Sequence, residues 1–146
     1  MSAQAIIALV TVAVVLAAIY ALAHQGIAGT QDLALRTERL LMRIVPPTGT
    51  GDIGEPTWLG LTIRRLAHVA EYAVLGLACA VATAMLFGAG PRSSLLALAG
   101  CLAASVADEA HKAFVPGRHF DAADLRLDAI GYLPAIAAVT ALAALC

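Results

Sequence analysis

The chain has 146 residues, one domain's worth, of which 61% are hydrophobic and 13% charged, with a net charge of −1. A soluble domain is about 45–50% apolar and about 25% charged. The composition therefore excludes an ordinary soluble globule, and the near-zero net charge excludes a general pull toward nucleic acid.

The apolar residues fall in blocks. Ala3 to Ala23 carries no charge, and its length matches the roughly 20 residues a spanning helix needs. Ala21-Leu22-Ala23 has the small-x-small form of a signal-peptide cleavage site. No Lys or Arg precedes the block, and it exceeds the roughly 7–15 residues of a signal peptide's apolar region, so it reads as a retained anchor. His24 to Ile63 is a connecting segment. Within it, Gln31 to Val45 can form a short helix with Arg36, Arg39 and Arg43 on one side, suited to the membrane surface; a solvated connecting helix is the alternative. Pro46-Pro47 ends it, "TGTGDIGEPTW" is turn-rich, and Trp58 suits an interfacial anchor.

The second span covers 66–87, opening with Arg64, Arg65, His68 and Glu71. "GAGPR" makes a tight turn, Ser93 is the expected N-cap of a third span over 93–114, and Pro116 follows its end. A fourth span covers 122–146, with Asp121 as N-cap and Asp124 in its first turn. The expected fold is an all-α integral membrane bundle of four spans in a single domain. Cys79, Cys101 and Cys146 lie in apolar blocks without CxxC or Cys/His metal spacing, so they read as small buried hydrophobes.

Alternating spans place the start of span two, the end of span three and the start of span four at one membrane face. Those ends hold the charge: "ADEAHKAFVPGRHFDAADLRLD" (Ala107 to Asp128) alone carries Asp108, Glu109, Lys112, Arg118, Asp121, Asp124, Arg126 and Asp128. His68, Glu71 and Tyr72 share a helix face, as do Asp108, His111 and Lys112, and Asp121, Asp124 and Asp128, the last face continuing through Gly131 and Ala135. His68 and Glu71 are expected roughly 6–10 Å inside the start of their helix. A charged group near the middle of a span costs about 2.5–3.5 kcal/mol, so these groups are expected to face a common interior in which they pair or hold a ligand. Glu109, Arg126 and His119 are also candidates for the interface, and Tyr72 for packing with a paired hydroxyl.

The sequence resembles the VanZ-like family, named after the teicoplanin-resistance protein, over Arg64 to Gly131. "RRLAHVAEYAVLG" (Arg64 to Gly76) and "DEAHKAFVPGRHFDAADLRLDAIG" (Asp108 to Gly131) match its two blocks, with Asp124 and Asp128 in register. Gln is common in the family where this chain has Lys112. The resemblance implies a small multi-pass protein of the bacterial plasma membrane, with a link to glycopeptide resistance.

No GxSxG, HExxH or P-loop occurs. The residues supply other chemistry. His68, Glu71, Asp108, Glu109 and His111 are the candidates for acid–base work. Asp124 and Asp128, with Glu71 and Asp108, offer oxygen ligands for Mg²⁺ or Mn²⁺. Arg118, aimed by Pro116-Gly117 and joined by Lys112, Arg65 and Tyr72, is the candidate contact for phosphate. These parts suit an anionic envelope lipid or a lipid-linked precursor headgroup, bound or, in a metal-dependent hydrolase or transferase, acted upon. The alternative is a scaffold or small transporter whose acids merely pair with Arg64, Arg65, Lys112, Arg118 and Arg126. Expected partners are membrane lipids, lipid-linked precursors or a glycopeptide, and no nucleic acid. The positive-inside rule places the charged face in the cytoplasm, whereas the link to an externally acting antibiotic places it outside; the outer face is the reading taken.

Overall fold

The computed structural model describes residues 2–24, 36–37, 58–115 and 120–145, with the side chains of the second helix described from Arg65 onward. Most of the expected surface helix over 31–45, the loop before Trp58, the Trp58 side chain and Pro116 to His119 lie outside the described residues. Four long helices make up the described chain: α1 (Ala3–Ala23), α2 (Trp58–Phe87), α3 (Pro91–Lys112) and α4 (Ala122–Ala144). Each includes a stretch of 21–23 residues long and apolar enough to span a membrane. At 1.5 Å per residue such a stretch is roughly 30–35 Å long, the thickness of a bilayer's hydrocarbon core.

Local chemistry sets the helix ends. Ser2 caps α1, its hydroxyl accepting from the Ala5 N–H at 3.2 Å. The turn after α2 needs Gly88, whose φ of +81° is left-handed. The N-cap of α3 is Gly90 rather than Ser93. Pro91, with no N–H to lose, can serve as the first helical residue, which moves the start forward. Ser93 then stands in the first turn, where its hydroxyl donates to the Gly90 carbonyl at 2.8 Å and accepts from the Gly90 N–H at 3.1 Å. Asp121 caps α4 as expected, accepting from the Ala123 N–H at 2.8 Å. The start of α2 is also earlier than expected, at Trp58. His68 is therefore ten residues into its helix, roughly 15 Å from the helix start rather than the expected 6–10 Å, yet only three residues inside the spanning stretch that begins at Arg65. The apolar run Trp58 to Ile63 contains no proline to stop the helix from extending.

The bundle is organised around α2, which contacts all three other helices and packs most extensively against α4. Glycine permits that approach. A Cβ on Gly131 would lie 2.4 Å from the Val69 carbonyl oxygen, and one on Gly76 would lie 2.7 Å from the Tyr132 Cα. The two backbones therefore touch, as small residues allow between helices in lipid. Tyr72, Leu75, Cys101, Tyr132 and Ile136 fill the rest of the core, with Ile19 of α1 at its edge. α4 runs through Pro134 without ending; neighbouring helices make an internal proline tolerable in a membrane.

The radial pattern is the reverse of a soluble protein. Val14, Leu77, Leu95 and Leu142 are exposed, whereas Glu109, Lys112 and Asp128 are at most 2% exposed. An apolar surface of this extent marks contact with lipid.

The glycine seam generates a prediction. Gly131→Ala should lower the melting temperature of the protein in lipid nanodiscs, since the neighbouring atom is backbone and overpacking costs about 1–3 kcal/mol. Gly100→Ala, where a Cβ meets nothing within 4 Å, should be neutral or slightly stabilising. Equal stability of Gly131→Ala and wild type would contradict the close α2–α4 approach.

Candidate functional site: a polar cluster at one membrane face

The polar residues of α2, α3 and α4 converge where their sequence spacing places them. On α3, Asp108 and Lys112 are one turn apart and Glu109 is three residues before Lys112, so all three can reach one point. The Lys112 ammonium lies 3.1 Å from Asp108 and 3.5 Å from Asp124 of α4, and it donates a hydrogen bond to Glu109. The second Glu109 oxygen accepts from the Asp121 backbone N–H at 3.0 Å. That bond satisfies a donor at the start of α4 that no intrahelical carbonyl can reach. Glu109 was a candidate for the interface; it is instead fully buried, because it bridges the lysine and the first turn of α4.

His68 links α2 to the same group. Its Nε2 lies 3.5 Å from Asp124 and its Nδ1 lies 3.3 Å from Asp128. Asp128 is fully buried. One of its oxygens accepts from the Ser105 hydroxyl at 2.6 Å. The other oxygen, together with His68 Nδ1, Asp108 Oδ1 and the Tyr72 hydroxyl, has no partner of hydrogen-bonding geometry. Tyr72 was expected to have a paired hydroxyl. It lies close to Ser105, whose oxygen can accept while its hydroxyl donates to Asp128, but the contact falls short of hydrogen-bonding geometry. Glu71, half-buried one turn beyond His68, is within electrostatic reach of His68, Asp108, Lys112 and Asp128.

Other candidates lie elsewhere. His111 does not join the cluster: its Nε2 is 3.2 Å from Nδ1 of His24, and Tyr20 packs on its ring at 4.7 Å. One residue short of the Lys112 turn, it faces α1. Arg65 and Arg126 are exposed, and Arg118 lies outside the described residues. At the opposite end, Arg92 stacks over Phe87 at 5.4 Å.

The sequence reading missed Ser105 and His24. Ser105 stands at i−3 from Asp108 and i−7 from Lys112, on the same helical stripe, and that spacing was a usable signal. Nothing local marks His24 as a partner of a residue 87 positions away.

The geometry limits the chemistry. Ser105 donates to the Asp128 carboxylate rather than to His68, so the two do not form a Ser–His pair. His68 lies between two aspartates, 3.5 Å from Asp124 and 3.3 Å from Asp128. Asp108, Glu109 and Asp124 surround one ammonium, so Lys112 fills the position that a cation shared by those three would take. Among the described residues no group of three or more His, Cys, Asp or Glu side chains has metal-binding geometry. Asp124 and Asp128, the expected metal pair, are engaged instead by Lys112, His68 and Ser105.

Fold and site together define a multi-pass helical membrane protein with a buried acid–lysine–histidine cluster at one face. The chain belongs to the VanZ/LLP1 family, whose model matches residues 7–143, nearly its full length. The match extends beyond the two blocks visible in the sequence and takes in most of α1 and the connecting segment. No curated protein and no solved structure matches it.

Removing the ammonium should expose its role. Breaking a buried ion pair by deleting one partner costs about 3–5 kcal/mol, so Lys112→Met should lower thermal stability strongly. Mg²⁺ or Mn²⁺ should then restore part of it by occupying the vacated position, while giving wild type little. A Lys112→Met variant as stable as wild type would show that the carboxylates do not depend on the lysine.

Proposed function

We propose that the protein recognises the headgroup of an anionic envelope lipid or lipid-linked precursor at the surface of the bacterial plasma membrane, as a VanZ-like protein tied to glycopeptide resistance. The observation that carries this reading is the convergence of His68, Glu71, Asp108, Glu109, Lys112, Asp124 and Asp128, from three helices, at one end of the bundle. Intramembrane ionisable groups are expensive and default to function, and a cluster at an end of a spanning bundle is within reach of lipid headgroups.

Charge divides the labour. The cluster holds five carboxylates against Lys112 and His68, so it does not itself attract phosphate. In this reading the anion falls to Arg118, on the sequence segment between α3 and α4, whose planar fork of donors suits phosphate. The acidic cluster orders the helices that flank that segment in sequence and offers His68 for proton transfer. A hydrolase or transferase is the catalytic form of the same reading, with His68 moving the proton; Asp124 and Asp128 would serve a metal only after giving up their present partners.

The test uses protein in nanodiscs with a polyprenyl phosphate, an anionic glycerophospholipid and a neutral lipid. Arg118→Lys should lose at least about tenfold in binding to the phosphate lipids while remaining folded, because lysine does not reproduce bidentate contact. Release of a water-soluble phosphate product by wild type would establish the catalytic form. Wild-type lipid affinity in Arg118→Lys would overturn the headgroup role.

A further inference from the structure

The histidine pair at the edge of the bundle is not used by the headgroup reading. His24 ends α1 and His111 lies one residue before the end of α3. Their facing nitrogens, His24 Nδ1 and His111 Nε2, are 3.2 Å apart, and their rings are nearly parallel, inclined by 21°. Tyr20, one turn before His24, packs on His111 at 4.7 Å and stacks with His24 at 6.1 Å between ring centroids. The His24 backbone is fixed by its N–H bonding to the Tyr20 carbonyl at 2.9 Å. Two imidazoles from helices far apart in sequence are thus held with nitrogens facing, beside an aromatic ring that limits their rotation.

We propose that His24 and His111 form a transition-metal site that clamps α1 to α3 at the charged membrane face. Imidazole binds Zn²⁺ at about 2.0–2.1 Å in tetrahedral geometry, which places two nitrogens on one ion about 3.3–3.4 Å apart. The observed separation of 3.2 Å is close to that edge length. Without an ion the pair shares one hydrogen bond; an ion would sit to one side of the line between the nitrogens, about 2.0–2.1 Å from each, and the shared proton must leave that line. One ring changes tautomer, its proton moving to its other nitrogen, so both facing nitrogens present lone pairs and no proton is lost overall. The ligand class is a divalent ion with an affinity for imidazole: Zn²⁺, Co²⁺, Ni²⁺ or Cu²⁺, rather than Mg²⁺ or Ca²⁺. Water supplies the remaining positions, since His24 is exposed. The clamp has a mechanical purpose. α1 packs chiefly on α2 and touches α3 only lightly, and in lipid no hydrophobic force drives helices together. A metal bridge at its end would fix α1 against the helix that carries Asp108, Glu109 and Lys112.

The experiment uses the full chain in nanodiscs, freed of metal by chelation and then titrated with Zn²⁺. Wild type should gain at least about 3 °C in melting temperature, and His24→Gln and His111→Gln should each remove that gain. Co²⁺ should give the visible absorption of nitrogen and oxygen ligation in wild type, and neither variant should show it. A thiolate charge-transfer band would assign the ion to Cys79, Cys101 or Cys146 and overturn the proposal. So would a Zn²⁺ response that survives in either variant, or its absence in wild type at millimolar ion. His24 is exposed, so His24→Gln should fold normally; its lost response then reports on the site and not on the fold.

Discussion

The buried ammonium of Lys112 is the interaction on which the charged end of the bundle depends. It stands among Asp108, Glu109 and Asp124 with only 2% of its surface exposed. Three carboxylates packed together without a cation would repel one another in a medium of low dielectric, where charges interact far more strongly than in water. The lysine removes that conflict and joins α3 to α4. Glu109 extends the link by accepting from the first turn of α4, and His68 extends it to α2 through Asp124 and Asp128. Each helix of the site is therefore tied to its neighbour by a charged or charge-assisted contact where packing forces in lipid are weak.

Away from that end the bundle is held by shape. Gly131 and Gly76 let α2 and α4 meet backbone to backbone, and small residues such as Ala80 and Ala97 line the core. The close seam continues directly from the polar cluster: Asp128 and Gly131 are one turn apart on α4, and His68 and Tyr72 one turn apart on α2. The seam thereby fixes the distance between the His68 and Asp128 side chains. The unpartnered oxygens of Asp108 and Asp128 and the Tyr72 hydroxyl leave hydrogen-bonding capacity inside the cluster, which water or a ligand's donor groups would satisfy.

Much of this was legible in the sequence, for a physical reason. In lipid every spanning segment must be a long apolar helix, so block lengths fix the spans, and alternation then fixes which ends meet. Helical spacing correctly grouped His68 with Glu71 and Asp124 with Asp128. It failed for His111, because i+3 and i+4 neighbours differ by enough rotation to face different helices: Lys112 turns toward α4 and His111 toward α1. Glu109 was left between an acid–base role and the interface because its partner, the Asp121 backbone, carries no signature in sequence. Ser93 was misplaced by three positions because the proline and glycine before it offered a better start. The family resemblance pointed to the two blocks that build the cluster, but chain order alone does not show that Lys112 sits between three acids.

The central claim is that Lys112 and its carboxylates act as one unit, and a double-mutant cycle tests it most directly. Unfolding free energies would be measured in bicelles for wild type, Lys112→Met, Glu109→Gln and the double variant. A buried, coupled pair should give an interaction energy of about 2–3 kcal/mol, with the double variant more stable than the sum of the single losses implies. Additivity within about 0.5 kcal/mol would contradict the account, since it would mean that lysine and glutamate contribute independently and that the cluster is not organised around its ammonium.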